Sequence, residues 1–213
     1  MIDTTNQLDQ VDRVLDTRMR NGREARVATI SQSYDTTIDD LWDACTNPER
    51  IPRWLMPISG ELRLGGRYQL EGNAGGTVET CDRPDHFGAT WEYGDEVSWI
   101  DVTLNTTEAG GAELTVEHIA HVEDERWAEY GPGAVGVGWD MMLLGLAGHL
   151  SSGAAIGPAD AAEWLASGDG RQFTTISSQR WCDASILAGA DPAEAQAAAD
   201  RTTAAYTGAP PSE

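Results

Sequence analysis

The chain has 213 residues, which is enough for one or two domains with a substantial hydrophobic core. It carries 35 acidic and 14 basic residues, for a formal net charge of −21, and all 14 basic residues are arginines. A charge this negative repels phosphate backbones and anionic lipid, and the sequence has no cluster of arginines to offset it. The composition therefore disfavours nucleic-acid binding.

Cysteine usage and the apolar stretches point to a cytoplasmic protein. Cys45, Cys81 and Cys182 are widely spaced and odd in number, which is typical neither of a disulfide framework nor of a zinc site. The N-terminal segment is polar and acidic, unlike a signal peptide. The longest apolar stretch, residues 133–150, contains Asp140 and several glycines and is too short for a membrane span. We expect no membrane insertion.

Residues 1–23 have apolar side chains at helical spacing, at Leu8, Val11, Leu15 and Met19. Four such residues are too few to stabilise a free helix. We predict that residues 1–23 form a loosely docked N-terminal arm.

The next segment predicts a strand followed by two short helices. The strand begins at Ala25, and a helix opens at Asp35 with carboxylates in its first turn. Asn47, followed by Pro48, has the pattern of an N-cap and predicts a second short helix that runs to Trp54.

Between residues 58 and 122 the hydrophobic period becomes alternating, which predicts antiparallel strands joined by tight Gly-, Asn- and Pro-rich turns. The predicted strands are 58–64, 67–71, 77–81, 88–93, 97–106 and 112–122.

A long helix is predicted over residues 133–150, with one wide apolar face. That face comprises Val135, Trp139, Met142, Leu146 and Leu150. The glycines of this segment are unfavourable in a helix interior, which indicates either close packing or an unfilled space beside the helix. They are Gly136, Gly138, Gly145 and Gly148.

Residues 154–213 form an Ala-rich extension with predicted helices at 159–167, 171–188 and 192–206 and a disordered tail, TGAPPSE. Its apolar residues are too many for a free surface, so we expect the extension to pack on the rest of the chain or on a second subunit of a homodimer. These residues are Trp164, Phe173, Ile176, Trp181, Ile186 and Leu187.

Five stretches, in this order, carry a family resemblance: YDTTIDDLWDACTNPERIPRWL, GGRYQLEGNAGGTVE, ATWEYGDEVSW, ELTVEHIAHV and GVGWDMMLLGLAGHL. The chain resembles the SRPBCC superfamily of START and Bet v allergen-like helix-grip proteins, and within it the branch of the activator of the heat-shock-protein-90 ATPase. The extension resembles that of a long actinobacterial subgroup. The resemblance implies an α+β helix-grip domain over residues 24–153, with a curved antiparallel sheet wrapped around the long helix, and a helical extension over residues 154–213.

The resemblance also implies an apolar cavity between the sheet and the long helix that holds a hydrophobic ligand. Alternation along the strands and the helix face predict its lining. We expect the ligand to contact Trp54, Tyr68, Leu70, Trp91, Ile100, Val102, Leu104, Val116, His118, Trp139 and Met142. Trp42 is predicted to pack in the core instead.

His118 is the main candidate catalytic residue. Alternation along the last strand points it into the cavity, where it is either a general base, a partner for a polar ligand group, or a core histidine with satisfied hydrogen bonds. His121 falls on the opposite face, so the pair does not predict a metal site. We expect no metal and no cofactor.

Three functions follow from these patterns. The first is a carrier or sensor that binds an apolar or amphipathic small molecule. The second is an enzyme similar to the polyketide aromatases and cyclases, with His118 and Tyr68 moving protons. The third is a protein-interaction or co-chaperone-like module that uses the C-terminal helices.

Overall fold

The computed structural model describes residues 4–208, apart from the side chains of Asp124 and Pro158. An eight-stranded, curved antiparallel sheet grips one long helix, which confirms the predicted α+β helix-grip fold. The strand order across the sheet is β1-β2-β8-β7-β6-β5-β4-β3. The strands are β1 (Asp12–Arg20), β2 (Arg23–Tyr34), β3 (Ile58–Gly60), β4 (Arg67–Leu70), β5 (Gly75–Asp82), β6 (His86–Tyr93), β7 (Glu96–Thr106) and β8 (Ala112–Ala120).

Seven helices and one 3₁₀ turn complete the described part of the chain. The helices are α1 (Thr4–Asp9), α2 (Ile38–Thr46), α3 (Asp124–Tyr130), α4 (Gly133–Ser152), α5 (Pro158–Ala166), α6 (Gly168–Leu187) and α7 (Pro192–Thr207), and the 3₁₀ turn is Ile51–Arg53. Helix α4 is the long helix predicted from the sequence, and α5 to α7 are the three predicted in the extension. Of the tail predicted to be disordered, residues 209–213 lie outside the described residues, while Thr207 ends α7.

The N-terminal segment corrects one prediction. Only Thr4–Asp9 is helical, and residues 12–20 form an edge strand paired along its whole length with β2. The turn between them is Asn21-Gly22, with φ angles of 51° and 75°, the combination that a two-residue hairpin requires. In the strand, Arg13 and Leu15 face the core, whereas Met19 is exposed.

The second short helix predicted over residues 47–54 is also corrected. Asn47 ends α2 rather than starting a helix, and its side chain accepts a hydrogen bond from the backbone N–H of Glu49 at 2.9 Å. Only the single 3₁₀ turn follows. This turn carries Ile51 and Trp54 towards the concave face of the sheet, where both are buried.

Helix α4 packs against the concave face of the sheet and is covered on its other side by α6. Trp181 of α6 is buried in the same core cluster as Leu143 and Leu146 of α4. A β-carbon at Gly136 would lie 2.2 Å from Cε2 of Trp181, so this glycine permits close helix packing. Leu187 at the end of α6 was expected to be covered, but it is exposed because it lies in the last turn, beyond the packed face.

A buried ion pair connects three of these elements. Asp140 of α4 and Arg13 of β1 form a salt bridge of 2.6 Å, and the Asp140 side chain is completely buried. Ser177 Oγ and the indole Nε1 of Trp181, both on α6, donate to the same carboxylate at 2.5 and 3.0 Å. The network fixes the strand, the long helix and the extension relative to one another. Among the described residues, no helix is long and apolar enough to cross a membrane.

Candidate functional site

A cavity of about 1050 Å³ lies between the concave face of the sheet and α4. Strand alternation builds it, because every second side chain of β4 to β8 points towards the helix. Both Phe87 and Tyr93 of β6 line it, and six residue steps along a strand span roughly 20 Å. The cavity is therefore elongated and reaches from one end of the sheet to the other.

The part of the cavity under β3 to β6 is lined mainly by apolar side chains. Its walls contain the cluster of Ile51, Tyr68, Leu70, Val78 and Ala89. Leu55, Met56, Ile58 and Leu62 pack around this cluster and also face the cavity. Tyr68 Oη donates to the backbone oxygen of Thr90 at 2.7 Å, so its hydroxyl is already used.

Two tryptophans form the middle of the cavity. The rings of Trp91 on β6 and Trp139 on α4 have centroids 5.2 Å apart and are tilted by 48°. Ile100, Val116 and Met142 lie beside them in the wall. Such polarisable side chains favour contact with flat or flexible apolar molecules through dispersion and hydrophobic burial.

The structure places ten of the eleven predicted ligand-contacting residues around the cavity. These are Trp54, Tyr68, Leu70, Trp91, Ile100, Val102, Val116, His118, Trp139 and Met142. Leu104 is the exception: α2 packs on its end of β7, and Leu104 is completely buried in the core instead. Alternation identifies the face of a strand but not the point at which a helix covers it.

Several lining residues were not predicted. Trp42 was assigned to the core, but it lies both in the core and in the cavity wall. Alternation on β5 and β6 would have found Val78 and Ala89. Tyr206 of α7 had no local signal, because its position depends on how the extension packs.

His118 forms a complete hydrogen-bond chain. The indole Nε1 of Trp139 donates to Nδ1 of His118 at 3.3 Å, and since an indole N–H can only donate, the proton of the neutral imidazole is on Nε2. Nε2 then donates to Ser98 Oγ at 2.8 Å, and Ser98 donates to the backbone oxygen of Trp91 at 3.0 Å. Burial lowers the pKa of His118 to about 4. The imidazole is therefore neutral near pH 7, and both of its nitrogens have partners.

Charge is confined to the two ends of the cavity. Arg83 lies at one end, and Arg23, Glu96, Glu123 and Arg126 lie at the other, all of them exposed. The Cys45 thiol faces the interior, and burial raises its pKa to about 12, which keeps it neutral. The middle of the cavity is therefore lined by uncharged groups.

No group of three or more His, Cys, Asp or Glu side chains within the described ranges is arranged to hold a metal ion. The His118 ring contacts Trp139 inside the cavity, whereas the His121 ring, one residue past the end of β8, packs on Trp99 and lies at the edge of the cavity. The arrangement can thus bind an apolar molecule.

Two structures of one bacterial protein resemble this chain over most of its length. The crystal structure of CalU16 from Micromonospora echinospora is 30% identical, covers 84% of this chain and 99% of CalU16, and has a TM-score of 0.64. Its solution NMR structure is 32% identical, covers 84% and 97% of the two chains, and has a TM-score of 0.67. MLL2253 from Mesorhizobium loti is 23% identical over 59% of this chain and 97% of its own, with a TM-score of 0.53, and shows the similarity of fold alone. No curated protein matches the sequence.

The family model described as "Activator of Hsp90 ATPase homolog 1-like protein" matches residues 35–151. This range begins just before α2 and ends within the last turn of α4, so it contains most of the sheet and most of the cavity wall. The match spans more than half of the chain, and the chain therefore belongs to the activator of Hsp90 ATPase homolog 1-like family, within the SRPBCC superfamily of helix-grip proteins.

Proposed function

We propose that the protein binds an elongated, mainly apolar small molecule in the cavity and carries or senses it without changing it chemically. One observation supports this most directly. The polar groups in the middle of the lining are satisfied within the protein: Tyr68 Oη donates to the backbone oxygen of Thr90, and both ring nitrogens of His118 have partners. The middle of the cavity therefore requires no polar group on the ligand.

The size of the cavity suits this function. Apolar burial contributes about 25 cal/mol per Å², so a ligand needs roughly 500 Å² of buried surface to reach a micromolar Kd after association costs of a few kcal/mol. Even a spherical cavity of about 1050 Å³ has a wall of roughly 500 Å², and an elongated one has more. Hydrophobic burial alone is thus sufficient for useful affinity.

The hydrogen bonds of His118 argue against the enzymatic alternative. A general base needs a free lone pair directed at the substrate, and the lone pair on Nδ1 accepts the Trp139 N–H. The lowered pKa of His118 further weakens it as a base. The interaction-module alternative loses its main argument as well, because Phe173 and Trp181 of the extension are buried within this chain.

A binding experiment with a neutral apolar dye tests the proposal. The probe N-phenyl-1-naphthylamine should bind the wild-type protein with a Kd in the micromolar range. Met142→Trp should weaken binding at least tenfold, because the larger side chain fills the cavity beside Trp139. Fluorescence titration measures both, and native mass spectrometry of the purified protein would identify a retained ligand.

Met141→Trp is the matched control. Met141 is half-buried like Met142 and is adjacent in the chain, but it does not line the cavity. Its variant should bind the probe within about twofold of wild type. Equal losses in the two variants, or no binding by the wild-type protein, would show that the cavity is not a binding site.

A further inference from the structure

Helix α7 docks along the start of α4 through a single face. Ala198, Thr202 and Tyr206 are four residues apart, so they lie in a row on one side of the helix. A β-carbon at Gly131 would contact Ala198 at 3.4 Å, and one at Gly133 would contact Thr202 at 3.2 Å. These two glycines allow α7 to lie close to the segment that joins α3 and α4.

Polar contacts from α7 also hold α3 in place. Arg201 donates to the backbone oxygens of Glu129 and Ala128 at 2.6 and 3.0 Å, and Thr202 Oγ1 donates to that of Tyr130 at 2.8 Å. These carbonyls lie in the last turn of α3, where intrahelical partners are lacking. The extension therefore fixes the helix whose Arg126 and Trp127 line this end of the cavity.

Tyr206 is the residue of α7 that reaches the cavity itself. Its Oη donates to the backbone oxygen of Ala134 at 3.0 Å and would lie 3.6 Å from a β-carbon at Gly138. Both Ala134 and Gly138 line the cavity, as Tyr206 does. Tyr206 is 42% exposed, and the rest of its side chain, held by the bond to Ala134, forms part of the cavity wall at the start of α4.

We propose that Tyr206 limits the length of the molecule that the cavity accepts. This inference rests on the proposed function, since it concerns the same cavity. An unbranched apolar ligand gains affinity with each added methylene for as long as that methylene is buried, by about fourfold each. A longer ligand that extends towards α7 meets the ring of Tyr206, and methylenes beyond that point are not buried and add no affinity.

A series of straight-chain primary alcohols of increasing length tests this by displacement of N-phenyl-1-naphthylamine. For the wild-type protein, affinity should rise with chain length and then reach a plateau. Tyr206→Ala should move the plateau to longer alcohols, with the roughly fourfold gain per methylene continuing over the added range. Tyr206→Phe keeps the ring and should retain the wild-type plateau.

The outcomes separate the two proposals. If the wild-type protein binds the series and Tyr206→Ala reaches its plateau at the same length, Tyr206 is not the limit although the cavity binds ligands. If no alcohol displaces the probe from the wild-type protein, the proposed function itself fails. Should Tyr206→Ala unfold, Tyr206→Trp decides instead: the larger ring should move the plateau to shorter alcohols, and an unchanged or longer plateau overturns the proposal.

Discussion

The imidazole of His118 is held neutral by two effects that act together. Burial disfavours its charged form, and the indole N–H of Trp139 points at Nδ1, where a second proton would have to go. Protonation would break this contact and place a charge among apolar side chains. His118 is therefore a structural group whose protonation opposes the folded state.

This arrangement predicts a specific dependence of stability on pH. The pKa of His118 falls from 6.5 to about 4 on folding, so the unfolded chain binds more protons between these values. Its contribution to the free energy of unfolding is complete above pH 6.5 and is lost as the pH falls towards 4, by about 3 kcal/mol in total. Urea unfolding of wild type and His118→Gln at pH 7 and pH 4.5 measures it.

The variant removes the titrating group, so its stability should fall less than that of wild type by about 2 kcal/mol or more between these two pH values. Changes that arise from carboxylates are common to both proteins and cancel in the comparison. Parallel pH profiles for the two proteins would contradict the assignment.

At the level of single residues, the sequence predicted which way a side chain points better than it predicted the hydrogen-bond or ion-pair partner of that side chain. Alternation placed His118 inside and allowed a core histidine with satisfied hydrogen bonds, but the partner Ser98 depends on the pairing of β7 with β8. Asp140 stood out as an acid within an apolar helix. Its partner Arg13 could not be found because the N-terminal segment was interpreted as a helical arm.

Among the elements, β1 shows how a helical pattern can mislead. Leu8 lies in α1 and Val11 follows that helix, so only two of the four apolar positions belong to the strand. The apparent helical spacing therefore arose from residues of a helix, a turn and a strand taken together. The informative signal was Asn21-Gly22, which favours a two-residue hairpin more strongly than four apolar residues favour a helix.

The glycines of α4 serve two different purposes. A β-carbon at Gly145 would lie 2.3 Å from the backbone oxygen of Trp54, so this position needs glycine for close packing. At Gly138 the nearest atom would be Tyr206 Oη, at an ordinary contact distance of 3.6 Å. The sequence indicated both explanations, and each holds at a different position.

The same substitution at these two positions should have opposite effects on stability. Gly138→Ala should raise the free energy of unfolding by about 0.5 to 1 kcal/mol, because alanine is the better helix former and its methyl group fits. Gly145→Ala should lower it by about 1 to 3 kcal/mol, since the methyl group displaces the backbone of Trp54. Urea denaturation at neutral pH measures both, and a change of the same sign in the two variants would refute the distinction.

On the scale of the whole molecule, the C-terminal helices complete the core. Trp181 of α6 is 1% exposed, belongs to the cluster that contains Trp139, and donates to the buried Asp140. Trp164 of α5 packs on Phe173, within the extension itself. We therefore expect the extension to unfold together with the sheet.

Replacing these two tryptophans tests that expectation. Trp181→Ala should lower the free energy of unfolding of the whole protein by about 3 to 5 kcal/mol, because it leaves a cavity and removes a donor to Asp140. Trp164 is half-buried and packs within the extension, so Trp164→Ala should lower the free energy of unfolding clearly less. Unfolding followed by tryptophan fluorescence and by far-ultraviolet circular dichroism should give coincident curves; two separate transitions would show that the extension folds independently.

Most of the strands and helices could be predicted in their correct order from the sequence. This order indicated the fold and which side chains face the concave side of the sheet. Seven of the ten predicted lining residues lie on regular strands, where alternation identifies the inward face, and Trp139 and Met142 followed from the apolar face of α4. The part of the cavity wall beside α7 could not be predicted in this way. It brings residues 201–206 next to residues 128–138, and helix spacing says nothing about which distant helix they meet.

The contribution of α7 to the cavity also sets an order of events during protein synthesis. Every strand and α4 are made before α7, and the other residues that line the cavity lie between Arg23 and Met142, so Tyr206 is the last part of the lining to be made. Translation from Ser152 to Tyr206 takes roughly 3 to 11 s at typical bacterial and eukaryotic rates. During this interval the wall that Tyr206 contributes is still missing, so a newly made chain presents a longer apolar groove than the finished protein does.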